Sequence, residues 1–550
     1  MHTFSLFSVN MNADSFAVLQ TSAARVLAQR NAALSEDGTN AYTVTLSVDK
    51  ALQNDRFIIC GEENGVTLTA ANDCALHAAF GRLMRELRFD QNGDFTPIAP
   101  EKMIDFTPKE ALRGMYFATH FGNFYHSAPI EKVYEVIEDI AMRGCNSLLV
   151  WFDMHHFDSM EDPKAKAFVA RLHDILSYAN RIGMGGSLTM LSNEAFATSP
   201  AHLRASWEPQ NGYREELVGH FHIEICPSKE GGIEEILRMR REMLRAFSDL
   251  RIDYVVYWPY DQGGCTCEKC APWGANGYLR LFPHFKKLMQ EMMPNAKLVV
   301  STWFLDRFTD GEWDGFYPAL DTELFSDVPY LLSFFENGVL PDCIKKHGYP
   351  KHLHSIDFPE ISMYSCTPWG AYGASHLAAF LQRTNTACAG LFHGGFPYSE
   401  GVFEDTNKFI ELSRYSGEYE DPFDALRAYV RYEFSCDDEA LYEAVKRTET
   451  GLARKRDKSG AAIRVQIENT EDVAFVYETL SHYNETLPKH ITASRNFRLY
   501  YLRALIDYEI VTHDGYPLYS ERAQDAMKEL REIYYADENT HPWVKPFVGL

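Results

Sequence analysis

Two carboxylates stand out as side chains placed to do chemistry. Asp261 follows a short β-rich run, Asp253 to Trp258, and precedes Gly263-Gly264, a pair that lets a ligand approach the backbone closely. Glu336 closes an apolar run at Phe334-Phe335, where desolvation raises a carboxyl toward the range of a useful general acid. Two such groups facing one pit suit cleavage of a glycosidic bond: one carboxylic acid protonates the leaving oxygen and a second group handles charge at the anomeric carbon. Glu400 is a third candidate, while Asp153 and Asp306 read as hydroxyl-binding or supporting groups. The plainer readings stay open, with Asp261 as a turn or helix cap and Glu336 as the partner of a basic residue in the wall.

Rings and polar groups recur after the other apolar runs: His120, then Asp153-Met154-His155-His156, Gln262, Trp303, Trp369 and Tyr398. Trp and Tyr faces over carboxylates match the apolar faces and hydroxyls of a pyranose, so a small carbohydrate is the expected ligand. For His155 and His156 a purely structural role is an equal alternative. Phosphate-binding loops, dinucleotide fingerprints, Ser nucleophile elbows and HExxH are absent, so no cofactor is expected for catalysis. A separate signal is Cys265-Thr266-Cys267-Glu268-Lys269-Cys270, which with Cys226 gives four thiolates for one structural zinc; unligated thiols are the competing reading.

These residues must be carried by something, and the chain between them alternates strand-like and helix-like segments. Eight short β-rich runs read as strands: Gly114 to Ala118, Ser147 to Phe152, Gly186 to Met190, Asp253 to Trp258, Lys297 to Thr302, Pro329 to Phe335, Ile361 to Tyr364 and Cys388 to Phe392. Eight βα units predict an α/β fold, a (β/α)8 barrel over 109–403 with an extended third loop, whose active end is the strand exits; a doubly wound sheet is the alternative. A small α+β domain over 1–108 precedes it, with Asp73 capping a helix that runs to Leu87. A helical domain over 404–550 follows, whose basic stretch Lys446 to Lys458 reads as a solvated face.

The chain has 550 residues, 46% hydrophobic and 24% charged, and a formal charge of −24 that disfavours nucleic acid and anionic lipid as partners. No run is long enough to span a membrane. Eleven cysteines, an odd number, suggest free thiols in a reducing compartment. The start lacks a basic n-region and a long apolar stretch, so no leader is read and a cytoplasmic location is expected.

The segment Asn64 to Leu68, the helix from Asp73, and then Leu112-Arg113-Gly114-Met115-Tyr116 resemble the junction of small domain and barrel in glycoside hydrolase family 20, the β-hexosaminidases. The layout is also similar to families 67 and 84, and the cysteine segment to barrel proteins related to family 163. The resemblance implies that Arg113 contacts sugar hydroxyls and that the substrate carries a 2-acetamido group. It departs at the Asp-Glu pair that family 20 places after strand four. Here the pair is Asp261-Gln262, and a glutamine cannot act as an acid. Either Asp261 is the acid with Glu336 in the second role, or the protein binds sugar without cleaving it; an α-glucuronidase-like hydrolase is the third reading.

Overall fold

The computed structural model describes residues 2–35, 38, 41–120, 122–214, 223–259, 264–333, 335, 338–350, 352–362, 374–457, 464–515 and 520–535. The amino-terminal region is a six-stranded sheet of β1 (His2–Ser8), β2 (Ala32–Leu34), β3 (Tyr42–Val48), β4 (Phe57–Glu62), β5 (Gly65–Ala70) and β6 (Met103–Phe106), in the order β2-β1-β3-β5-β4-β6. Strand alternation buries Val44 and Leu46 of β3 and Val66 and Leu68 of β5 under helices Ala13–Ala28 and Asp73–Glu86. The second helix is capped one residue earlier than expected. Asn72 accepts from the Ala75 amide at 2.9 Å, and Asp73 stands in the first turn, where its charge suits the helix dipole.

Eight parallel strand positions then close into a barrel: β7 (Leu112–Phe117), β8 (Ser147–Trp151), β9 (Gly185–Leu191), β10 (Ile252–Trp258), β11 (Lys297–Ser301), β12 (Tyr330–Ser333), β13 (His354–Asp357) and the split pair β14 (Phe392–Gly395) and β15 (Tyr398–Ser399). Closure runs through Gly394↔Leu112 and Gly395↔Arg113, and again through Tyr398↔Tyr116. The fold is the expected (β/α)8 barrel. Strand seven, however, is His354–Asp357 and not Ile361 to Tyr364, and strand eight begins where Cys388 to Phe392 was expected to end.

Every second residue faces the barrel interior, where Leu112, Leu149, Val256, Val299, Leu332, Ile356 and Phe396 form the packed lower layers. Gly114 has its own reason: a Cβ there would lie 2.3 Å from the Phe396 ring. The long third loop carries the antiparallel bridges Glu194↔Glu224 and Arg204↔Ile225. After residue 403 come helices, including Asp405–Ser416, Pro422–Phe434 and Arg495–Thr512, together with a hairpin of β16 (Arg454–Asp457) and β17 (Arg464–Ile467) that periodicity missed. The basic stretch is accordingly not all solvated, because Arg454 is buried in a bidentate pair with Asp507 at 3.1 and 2.9 Å.

Candidate functional site

The inward faces of the strands end in a layer of rings at the strand-exit end. Trp258 packs on Trp303 (5.2 Å between centroids) and on Phe358 (5.1 Å), and Phe358 meets Tyr116 at 5.3 Å. Tyr116 stacks on Tyr398 at 5.5 Å, and His120 joins Tyr398 (6.2 Å) to Trp151 (5.4 Å). Six strands thus supply one continuous aromatic floor, and the residues that follow them stand around its rim.

On the side of strands two and three the rim is acidic and imidazole-rich. Glu194, 1% exposed, accepts from His155 Nδ1 at 2.6 Å and from Trp151 Nε1 at 3.3 Å. The contact with His155 fixes that ring on the tautomer or charge state that carries a proton on Nδ1. Arg240, from helix Gly232–Arg245, holds the loop through the Glu194 carbonyl at 2.8 Å. Burial, then the charge of Glu194, raise the Asp153 carboxyl well above the usual range and favour its protonated form. Burial also depresses His120 to about 3, helped by His126, His155 and His156, so its ring is neutral at physiological pH. This quarter of the rim sets buried imidazoles and carboxyl groups side by side.

On the side of strands seven and eight, Tyr398 Oη donates to Glu400 Oε1 at 3.0 Å. The Glu400 segment is fixed by Glu404, whose Oε1 accepts from Ser399 Oγ and from the Glu400 and Gly401 amides, each at 2.7 Å. Tyr534 Oη adds a bond to the Glu400 carbonyl at 3.0 Å. The exit of strand seven runs Phe358-Pro359-Glu360 and continues the ladder by a bridge Glu360↔Tyr398. Period-two alternation from Ile356 and Phe358, both in the interior cluster, puts half-buried Glu360 on the same inner face. Beside it lies a cavity of about 240 Å3 whose walls include Phe304, Arg307, Phe358 and Glu360, with the Arg307 guanidinium 4.4 Å over the Phe304 ring.

Of the residues expected at the site, His120, Asp153, His155, Trp303, Tyr398 and Glu400 gather at this end. Asp306 belongs to its support, since its Oδ1 accepts from the Glu312 and Trp313 amides and caps helix Glu312–Leu320. Asp261, Gln262, Glu336 and Trp369 lie outside the described residues. Glu194 and Glu360 were missed. Ser192-Asn193-Glu194 directly follows strand three and was visible to the exit rule; Glu360 was hidden by the misplaced strand seven.

Arg113 needs a correction. It sits at the start of β7, the opposite end of the barrel, and its guanidinium bonds Asp55 (2.6 Å), the Gly144 carbonyl (2.8 Å) and the Glu110 carbonyl (2.7 Å). Against the upward pull of burial, Arg113 holds the Asp55 carboxyl below its ordinary value. It ties the amino-terminal sheet to the barrel floor. Arg113→Met is therefore expected to lower unfolding free energy by about 1–3 kcal/mol in urea titrations while leaving KM for any glycoside unchanged; a raised KM at unchanged stability would restore the sugar-contact role.

The cysteine cluster is assembled. The sulfurs of Cys226, Cys265, Cys267 and Cys270 lie within 4.8 Å of one another, and Cys226 Sγ is 3.8 Å from both Cys267 and Cys270. Metal–thiolate bonds of ~2.3 Å in a tetrahedron separate sulfurs by ~3.8 Å, so the four residues could hold one metal ion.

No protein-family model matches the sequence, and no curated protein matches it. Solved structures do. The chain is similar to a family 89 glycoside hydrolase from Clostridium perfringens, solved with GlcNAc-α-1,4-galactose, at TM-score 0.63 and 12% identity over 94% of this chain and 64% of that one. It is similar to a family 115 4-O-methyl-α-glucuronidase with specificity for decorated arabinogalactans, at TM-score 0.60 and 10% identity over 97% and 76%. A family 20 β-N-acetylhexosaminidase from Streptomyces coelicolor follows, at TM-score 0.52 and 11% identity over 79% and 92%. At these identities the likeness is one of fold, a glycosidase-type barrel in which family 20 is one of several relatives. No described helix is long and apolar enough to cross a membrane.

Proposed function

We propose that the protein is a glycoside hydrolase acting on a 2-acetamido sugar. One observation carries the reading: an aromatic floor built from six strands is ringed by carboxylates from separate strand exits, Asp153, Glu194, Glu360 and Glu400. A ring-lined floor takes the apolar face of a pyranose and leaves its hydroxyls to the rim. His120, whose basicity burial depresses, and Asp153, whose carboxyl burial raises, suit hydroxyl and amide groups, and the similar structures include a family 89 enzyme in complex with GlcNAc-α-1,4-galactose and a family 20 β-N-acetylhexosaminidase.

In this reading Asp261, after strand four, is the general acid. The second carboxylate is Glu360, with Glu336 as the competing assignment. Gln262, Trp303, Trp369 and Tyr398 contact the sugar, and the four cysteines take zinc as a structural ion with no part in bond cleavage.

A second reading has its own support: Arg307 shares a cavity with Glu360 and could pair with a uronic acid carboxylate, as an α-glucuronidase requires. A panel of 4-nitrophenyl glycosides decides between them. Release from N-acetyl-α- or β-glucosaminides and none from glucuronides is expected, and the reverse pattern would install the glucuronidase. Calorimetric binding of an intact glycan with no product after long incubation would instead make this a sugar-binding protein on a barrel that has lost its chemistry.

A further inference from the structure

The four-cysteine cluster joins two stretches of chain that the barrel itself does not hold together. Cys226 ends the long third loop, its amide bonded to the Leu203 carbonyl at 2.9 Å. Cys265, Cys267 and Cys270 follow Gly264 at the exit of strand four. The Cys265 sulfur accepts from the Ser206 amide at 3.4 Å, Ser228 Oγ lies 3.0 Å from Cys226 Sγ, and the Cys270 amide returns to the Cys267 carbonyl at 2.9 Å. Hydrogen bonds to the sulfurs and a tight turn between paired cysteines are what a thiolate metal site uses to orient its ligands.

The ends of the strand-four exit are tied to this knot. Trp273 Nε1 donates to the Pro259 carbonyl at 2.9 Å, and Asn193 Nδ2 donates to the Gly264 carbonyl at 3.3 Å and to the Ile225 carbonyl at 3.1 Å. Asn193 is also the residue before Glu194, which orients His155. Four sulfurs within 4.8 Å of one another form a soft donor set, which favours zinc over oxygen-seeking ions.

We propose that zinc at Cys226, Cys265, Cys267 and Cys270 clamps the third loop to the strand-four exit, so that sugar cleavage depends on a metal that never touches the substrate. The inference rests on the hydrolase reading for its catalytic arm alone. Protein purified without chelator is expected to carry about one zinc per chain. Cobalt exchanged into the site should show the intense sulfur-to-cobalt charge-transfer and tetrahedral ligand-field bands of a four-thiolate centre.

Releasing the metal with an organomercurial thiol reagent, followed by excess dithiol, should speed amide exchange in segments 193–206 and 264–273 and lower kcat/KM by ~10²-fold, the scale of an ångström-level misplacement, with recovery on adding zinc. Cys226→Ser should give three-sulfur cobalt spectra and the same loss. Cys60→Ser, in the amino-terminal sheet, should change neither. Zinc well under one per chain, iron in its place, or a metal-free protein with unaltered exchange and activity would each overturn the proposal. If no glycoside is cleaved by any form, the hydrolase reading falls, and metal content with exchange still decides the clamp.

Discussion

Glu360→Gln is expected to lower kcat on an activated aryl glycoside by ~10²–10⁴-fold, the span for deleting a positioned acid or base, with the thermal midpoint unchanged. The position argues for the size. Strand seven brings Ile356 and Phe358 into the barrel interior, and the next inward residue is Glu360, the first on that strand to rise above the aromatic floor. Its backbone is locked beside Tyr398, whose amide donates to the Pro359 carbonyl at 2.9 Å, so the carboxylate is carried by a ladder and not by a free loop. Tyr398 also feels both Glu400 and Glu360, and burial with these charges drives its hydroxyl well above the ordinary range, which keeps it a hydrogen-bond donor. Tyr398 already donates to Glu400 Oε1 at 3.0 Å, so it orients one rim carboxylate beside the ladder that carries Glu360. Glu336→Gln and Asp261→Asn belong in the same experiment. Loss in Asp261→Asn and Glu336→Gln with Glu360→Gln near wild type would return the second role to Glu336, and full activity in all three would remove the carboxylate mechanism.

Why Glu360 escaped a reading of the sequence is itself physical. A strand buried on both faces should be a continuous apolar run, and that rule found strands one to six to within a few residues. His354-Ser355-Ile356-Asp357 breaks it. The outward side chain of Asp357 is buried against Arg414, with which it pairs, and against Tyr415, which donates to it, so a carboxylate takes the place of an apolar contact. Burial pushes Asp357 up to about 6 even against Arg414. Strand eight hides for a related reason: Gly394-Gly395 looks like loop, yet a Cβ at Gly395 would meet Asp357 Oδ1 at 2.0 Å, so only glycine fits beside that buried acid. Short local patterns carried the lower barrel, and tertiary ion pairs wrote the last two strands. The rim positions were legible where they followed a clear strand, as with His120 and Asp153. The site was misread where a resemblance replaced geometry: Arg113, taken for a sugar contact, bonds Asp55 and two backbone carbonyls at the other end of the barrel.

Ion pairs of the same kind set the expectation for acid stability, and Asp405→Asn should show it. Asp405 opens helix Asp405–Ser416 and receives Arg143 from the barrel side at 3.0 and 2.8 Å, Tyr429 Oη at 2.8 Å, and Arg495 at 3.8 Å. Arg143 and Asp405 are both buried, with side chains 8% and 3% exposed. Removing the negative charge while keeping the shape leaves Arg143, between the barrel and the carboxy-terminal helices, with Glu433 at 3.3 Å and the Asp405 carbonyl at 3.2 Å, and breaking a buried pair in this way costs about 3–5 kcal/mol. Urea unfolding at pH 7 should register that loss. The sign with pH follows from the direction of the shift: against the upward pull of burial, Arg143 and Arg495 hold the Asp405 carboxyl well below its ordinary 3.8. Its contribution is therefore fully present above about pH 4, where the unfolded chain's carboxylate is ionised, and disappears as pH falls through the folded value. Asp139, Asp507 and Glu418 are shifted the same way, each beside arginines, so wild-type stability should fall steeply below pH 4. Asp153 and Asp357, raised by burial, act oppositely and stabilise the fold as pH falls toward 4. The gap between wild type and Asp405→Asn should thus be widest near neutrality and close below pH 4; a gap that stays constant from pH 7 to pH 3 would mean that Asp405 acts through packing and not through its charge.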